Sequence, residues 1–504
     1  MLPSVVPFRR RSVAAGALIG TAVLVAGLAA GPAVADDAEE PPISIVDGLI
    51  DTSDFNALGL PQAENAETVT IFSPGDDDLK FNHGTVLMPF KGKLYAQWQS
   101  SERDEDAPET IVRYSVSDES GENWSDPIDL TAPRTDGYTS NGGWWTDGET
   151  LVAYLNVWPA DLSPRGGYTL YRSSTDGIHW TDPAPVTDQN DDPVLGIIEQ
   201  DVKALSSGRV LTAFHVQPGL QVKPYYTDDP LGVTGWTQGD FDNQDYLPDE
   251  MSRELEPSWH VQEDGDVVMT FRDQGGSSMF KLAALSEDDG ETWSTSVVTN
   301  VPDSRTKQSA GNLPDGTAYL AGSLTGTKTR HPLVLVMSAD GQTFTDGVVL
   351  RDSNDLQPLR YEGKSKNLGY SYQKSIVWGE DLYVSYGTNK EDVEYTRVPL
   401  GDISMRDVPG AVERLNVDGG GRSLSVSWSA PADAGDAEVT GYVIEATARS
   451  GRTETVEVAG DARSTMLTGV HPGRYSVTVT AVNAYGSGER SGKSDWVTVT
   501  GKRH

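Results

Sequence analysis

A short phrase returns five times along this chain of 504 residues. It reads SDESGENW ending at Trp124, SSTDGIHW at Trp180, TDDPLGVTGW at Trp236, SEDDGETW at Trp293 and SADGQTF at Phe344, at intervals of 56, 56, 57 and 51 residues. A fixed period of this kind marks stacked supersecondary units, none of which can bury its apolar face alone. Each phrase carries Ser or Thr, an acid, a glycine and an aromatic; the third is degenerate, and the first has Glu119 in place of aspartate. In such a unit the acid accepts hydrogen bonds from backbone N–H groups of a tight turn. The glycine supplies the positive φ, and the aromatic packs between sheets. Between the turns lie short alternating runs such as KLYAQW, LVAYLNVW, VVMTFR and DLYVSYG, which predict an all-β fold.

The phrases resemble Asp-boxes, and the chain resembles the sialidase-type β-propellers. The resemblance implies a six-bladed propeller over residues 36–405, with the N-terminal segment closing the ring. It also implies that the boxes are structural, since in that family they lie on turns between outer strands, away from the active site. After Met405 the composition changes. Residues 409–501 read as short strands rich in Thr, Val and Ser, with Trp428 in SLSVSWSAP, Tyr442 in TGYVIEAT and Tyr475 in a tyrosine-corner setting. This stretch resembles a fibronectin type III β-sandwich, for which a spacer or stabilising role is expected.

Residues 1–35 read as an export signal: Arg9, Arg10 and Arg11, an apolar run to about Ala30, then Ala33-Val34-Ala35 as a cleavage site. The expectation is a secreted protein, by either the general or the twin-arginine route, with no membrane span. Removing this segment would take away three arginines and no acid, moving the net charge from −36 to −39. Such a balance disfavours nucleic acid and anionic membranes as partners. With no cysteine, disulfides, thiolate metal sites and cysteine nucleophiles are excluded. No cofactor is called for, with structural calcium on acidic loops left open, and a monomer acting on a glycan is expected.

Three stretches carry candidate chemistry. In RELEPSWHVQEDGDVVMTFRDQGG, Glu256 precedes a strand and a D-G turn, and Arg272 ends the next strand, 16 residues on. In TRHPLVLVMSADGQTF, Arg330 precedes the box serine by eight residues. In NLGYSYQKSIVWGEDLYVSYG, the pair Tyr370-Ser371 precedes a strand–turn–strand. Each is similar to a sialidase pattern. The resemblance implies Tyr370 as nucleophile, Glu256 as its partner, and Arg272 and Arg330 as ligands of a substrate carboxylate. A phenol suits an anionic sugar, because a carboxylate nucleophile would be repelled. With a free pKa near 10 the phenol needs a neighbouring base, and sialidases use tyrosine in place of the second carboxylate. Tyr372 faces the same way as Tyr370 in an extended segment, so a slip by two is left open. In the first unit, SSERDEDAPET supplies Arg103, expected beside the pocket, and Asp106 as the acid, in a loop shared with Glu102, Asp104 and Glu105. Crowding by like charges would favour the protonated form a general acid needs.

One departure stands out. Sialidases open the first unit with an arginine followed by Ile or Val and then Pro, and no such triplet occurs here. Counting back from Arg103 puts His83 of FNHGTVLMPF in its place, and histidine cannot form a bidentate clamp. The leading expectation is therefore a retaining exo-glycosidase for terminal acidic sugars. Alternatives are a glycosidase or lyase acting on uronate-containing glycans through His83, and a silent glycan-binding propeller. Trp144, Trp145 and Trp158 are candidates for a sugar-stacking platform or for core packing.

Overall fold

The computed structural model of the protein describes residues 40–118 and 121–501; the expected export signal and Glu119 lie outside these. From residue 67 to residue 399 the chain forms six antiparallel sheets in succession. The first runs Phe81–Phe90, Lys93–Ser101, Ile111–Val116, Ile128–Asp129, and the second Gly137–Thr146, Leu151–Pro159, Tyr168–Ser174, Ala184–Pro185. The third is built on Gly196–Ile198, Val210–Val216, Gln221–Thr227 and Thr237–Gln238. The fourth comprises Glu254–Val261, Val267–Asp273, Phe280–Ser286 and Val297–Pro302, and the fifth Ser309–Asn312, Ala318–Gly322, Leu333–Ser338 and Asp346–Arg351. The sixth takes Tyr370–Trp378, Asp381–Thr388 and Asp392–Pro399, and its fourth strand, Glu67–Phe72, comes from the N-terminal side. The segment expected to close the fold therefore does pair with the last unit.

Alternating strands leave apolar side chains on both faces of each sheet, and each face is buried against a neighbour. Met88 and Tyr95 of the first sheet pack with Trp144 and Leu151 of the second. Val152 and Tyr154 meet Val210 and Phe214 of the third, whose Leu211 and Val222 meet Val267 and Phe271 of the fourth. Val268 and Ala283 pack on Leu320 and Val334 of the fifth, and Leu335 on Leu382 and Val384 of the sixth. Tyr383 and Tyr395 of the sixth then pack on Leu94 and Trp98 of the first.

The repeated phrases behave as their chemistry requires, on the turns between the third and fourth strands. Asp176 Oδ1 accepts from the N–H groups of Ile178 (2.9 Å) and His179 (2.8 Å). Asp340 Oδ1 accepts from Gln342 (2.8 Å) and Thr343 (2.9 Å). Gly341 takes φ 76°, and a Cβ there would lie 2.9 Å from Gln262 Cα. Trp236 and Phe344 are fully buried, and Trp180 stacks on Trp144 with 5.8 Å between ring centres.

Beyond residue 405, Glu413–Gly420, Ser423–Ser429 and Ser464–Thr468 form one sheet, and Thr453–Ala459, Gly441–Ala448, Gly473–Asn483 and Gly486–Arg490 the core of a second. Trp428 and Tyr442, 5.1 Å apart, pack with Tyr475 and Val477 between them. Among the described residues no helix is long and apolar enough to cross a membrane.

Candidate active site

The inner strands of four sheets break their register at equivalent places: between His83 and Val86, Asn141 and Gly143, Leu255 and Ser258, and Ser371 and Lys374. A bulge inserts one extra residue and re-aims the side chains around it. In the first two sheets glycine takes the positive φ (Gly84 73°, Gly143 91°), but in the fourth and sixth it is Glu256 (50°) and Tyr372 (59°). Non-glycine residues held there cost about 1–3 kcal/mol each and cluster at functional sites.

The two strained residues meet. The Tyr372 hydroxyl donates a short hydrogen bond to Glu256 Oε1, and Arg272 Nη1 donates to Glu256 Oε2 at 2.9 Å. Arg272 Nη2 reaches Gln274 Oε1 at 2.7 Å. His83 lies against the phenol ring, 4.1 Å between centres. Lys307 Nζ and Arg330 Cζ stand 5.3 Å and 5.8 Å from the centre of the same ring. Burial works against ionisation of Glu256, but Arg272 and then Lys307 outweigh it and hold the carboxyl below its usual range. Burial first, and then the Glu256 charge, push the Tyr372 phenol well above its ordinary value. A proton acceptor and a phenol that does not ionise alone are thus in direct contact.

All of these except Arg330 line a cavity of about 270 Å³, near the lower end of small-ligand sites. Its floor is polar. Glu199 pairs with Lys307 and accepts from His215 Nδ1 at 3.0 Å, while Lys307 also donates to Gln200 Oε1 at 3.1 Å. Trp158, Ile197, Leu220, Met251 and Leu255 supply the apolar part of the lining. Asp106, in the left-handed region at φ 59° as aspartate tolerates, sits at the edge. Its carboxylate accepts from the Tyr138 hydroxyl at 2.8 Å and pairs with Arg165 at 3.1 Å. Arg165 in turn lies 4.4 Å over the Trp158 ring.

The expected site is therefore only partly assembled as written. Glu256, Arg272, His83 and Asp106 all line the cavity, and Arg330 is beside it, donating to Ser371 Oγ at 3.2 Å. Tyr370 is a correction. It is fully buried among Leu313, Leu335 and Tyr386, and its hydroxyl donates to Asp352 O at 3.0 Å. The bulge after Ser371 reverses side-chain parity, so the second tyrosine faces Glu256. Arg103 is another correction: two-thirds exposed, it turns out to Asp104 (3.0 Å) and does not line the cavity. Crowding of Asp106 by like charges is not found either. Glu105 is paired with Lys390 at 2.9 Å and Asp104 with Arg103, leaving Asp106 to Arg165. Of the three tryptophans, Trp158 lines the cavity, Trp144 is core, and Trp145 donates to Pro230 O at 2.9 Å. Burial and then the charges of Lys390, Arg330 and Lys307 hold His83 well below the usual histidine value, so it is neutral. Neither of its ring nitrogens has a hydrogen-bond partner among the described residues.

Repeated antiparallel sheets with a charged pocket at their bulged inner strands define a repeat-built all-β protein. A model for a BNR repeat-like domain matches residues 92–384, and one for a fibronectin type III domain matches residues 410–496. The chain belongs to the BNR repeat-like family and carries a fibronectin type III domain. No curated protein matches it. Among solved structures it is similar to one titled sialidase, at 15% identity and TM-score 0.47, with 90% of this chain and 50% of that one covered. It therefore spans half the length of that relative. A Hadza microbial sialidase, Hz136, is similar at 14% identity and TM-score 0.53, over 67% of this chain and 69% of that one. A protein of unknown function from Dyadobacter fermentans is similar at 17% identity and TM-score 0.49, over 66% and 99%. At these identities the likeness is one of fold.

Proposed function

We propose that the protein is a secreted, retaining exo-glycosidase that releases a terminal acidic sugar from glycans. In this reading residues 36–405 form one six-bladed propeller, and residues 409–501 form an appended module without a catalytic part. The observation that carries it is the contact of Tyr372, Glu256 and Arg272 in a cavity that Arg165 and Lys307 also line, in a chain of net charge −36.

The chemistry runs in two balanced halves. Tyr372 Oη attacks the anomeric carbon while its proton passes to Glu256. The glycosidic C–O bond breaks, and Asp106 gives a proton to the leaving oxygen. Water then attacks the same carbon, Asp106 takes its proton, and Tyr372 leaves with the proton held by Glu256. Because the phenol resists ionising alone, proton transfer and attack must be concerted, which makes Glu256 indispensable.

Two measurements test this: release of a fluorogenic alcohol from sialosides and glucuronides, and mass-spectrometric labelling of Tyr372 by an activated fluorinated acidic sugar. Turnover without label on Tyr372, or no turnover of any acidic glycoside at high enzyme loading, refutes it. The contact of His83 with Tyr372, 4.1 Å between ring centres, favours one further reading, elimination from a uronate polymer. That reaction would be seen as the ultraviolet absorbance of an unsaturated product.

A further inference from the structure

We infer that Gln308, oriented by the buried Lys281–Asp303 pair, is a positioning residue that holds Glu256 in its strained conformation facing Tyr372; this rests on the reading of Glu256 as the proton acceptor of a glycosidase. Between Leu255 and Ser258 the inner strand of the fourth sheet loses register with Val267–Asp273. A bulge leaves backbone groups without ladder partners, and buried ones must find others. The backbone of Glu256 is held from both neighbouring sheets. Its N–H donates to His215 Nε2 of the third sheet at 3.5 Å. Its carbonyl accepts from Gln308 Nε2 at 3.1 Å, and the same amide donates to Thr270 O, on the partner strand, at 2.8 Å. Gln308 immediately precedes Ser309–Asn312, the inner strand of the fifth sheet.

The hold works only with the amide one way round. A glutamine amide has a donor end and an acceptor end; reversed, its oxygen would face two carbonyls and its NH2 group a cation. Lys281 Nζ donates to Gln308 Oε1 at 2.9 Å and so fixes the direction. Lys281 in turn pairs with Asp303 at 3.0 Å, the two being 1% and 0% exposed. Asp303 Oδ2 also accepts from the Asp273 N–H at 3.2 Å, next to Arg272. The network thus grips both strands of the hairpin that carries Glu256 and Arg272. An ion pair buried this deeply pays a desolvation cost, and apolar residues of similar volume would stabilise the fold as well. None of Gln308, Lys281 and Asp303 lines the cavity; what they touch is the backbone of a hairpin whose side chains do.

Two variants test this. Gln308→Met fills the same space without an amide. Lys281→Met combined with Asp303→Asn removes both charges together and keeps an acceptor for the Asp273 N–H. For each, kcat and KM are measured with a fluorogenic acidic glycoside, and hydrogen–deuterium exchange is followed by mass spectrometry. Each is expected to lower kcat roughly ten- to a hundredfold, the effect of a small misplacement of a reacting group, with KM little changed. Exchange in peptides covering 252–258 should quicken, while Leu151–Pro159 of the second sheet exchanges as in the wild type. Wild-type kcat in either variant overturns the inference, as does a change confined to KM or a lower kcat without faster exchange at 252–258. Faster exchange at Leu151–Pro159 in both variants also overturns it, since the network would then serve the fold as a whole. The glycosidase reading fails separately. If the wild type turns over no acidic glycoside, faster exchange confined to 252–258 keeps the hold on Glu256 and removes the enzyme, and unchanged exchange removes both. Turnover indifferent to both variants keeps the enzyme and removes the positioning role.

Discussion

The rim turns and the bulged inner strands both depend on left-handed backbone, and they obtain it differently. At the rim a glycine provides it, as Gly341 does at φ 76°, and an aspartate satisfies the turn's N–H groups. At the cavity Glu256 and Tyr372 adopt it themselves, at 50° and 59°. The rim conformation is therefore written in residue types suited to it. The cavity conformation is imposed by the surrounding sheets on residues retained for other reasons. At the cavity the two strained residues are also the two whose side chains touch.

The largest effect should come from breaking the strained pair. Glu256→Gln is expected to lower kcat by about 10²–10⁴-fold, the usual worth of an acid–base group, and Tyr372→Phe by at least as much, in the fluorogenic assay. Equal activity of Tyr372→Phe and wild type would mean that the bulge has no catalytic purpose.

The comparison also sharpens with pH. His83 at the cavity and His260, whose Nε2 bonds Gly341 O at 2.8 Å under a rim turn, are both buried and neutral. Burial lowers His260 to about 4 and, with nearby cations, holds His83 well below its usual value. A histidine whose folded pKa is depressed contributes its full stability above the unfolded value near 6.5. That contribution is lost as pH falls toward the folded value, because the unfolded chain takes up the proton first. For His260 the loss reaches about 3 kcal/mol by pH 4. Urea midpoints measured from pH 7 to pH 4 should fall, and less steeply in His260→Gln.

A smaller effect is expected at the rim. Gly341→Ala should cost about 1–3 kcal/mol in urea unfolding, with kcat of the folded protein unchanged. Smallest is Tyr370→Phe, which loses only the bond to Asp352 O. It should cost about 1 kcal/mol and leave activity intact, and a large loss of activity would reverse the assignment of the two tyrosines.

The rim was legible in the sequence because its turns need glycine and aspartate at fixed offsets, and those offsets repeat. Glu256 and Arg272 were legible too, since both flank one hairpin and their separation follows from its length. Tyr370 against Tyr372 was not. An extended segment places both on one face, and only a bulge, set by pairing with Gly387 and Ser385, separates them. Arg103 turned outward because its loop offers Asp104 as an immediate neighbour. Lys307, Glu199 and His215 lie on three segments with no shared motif, and only the packing of successive sheets brings them to one floor.

The pairing of Glu67–Phe72 with Asp392–Pro399 joins residues about 330 positions apart, as in the contact of Arg397 with Glu67. Such a clasp is among the last contacts a chain can form during synthesis, since long-range pairing waits for loop closure. Until it forms, Asp392–Pro399 has an open edge able to recruit strands from other molecules. Tyr372 belongs to the same sheet, so the sheet that carries it is completed only when both ends of the repeat array have met. An incomplete chain would thus be sticky, with the surroundings of Tyr372 unfinished.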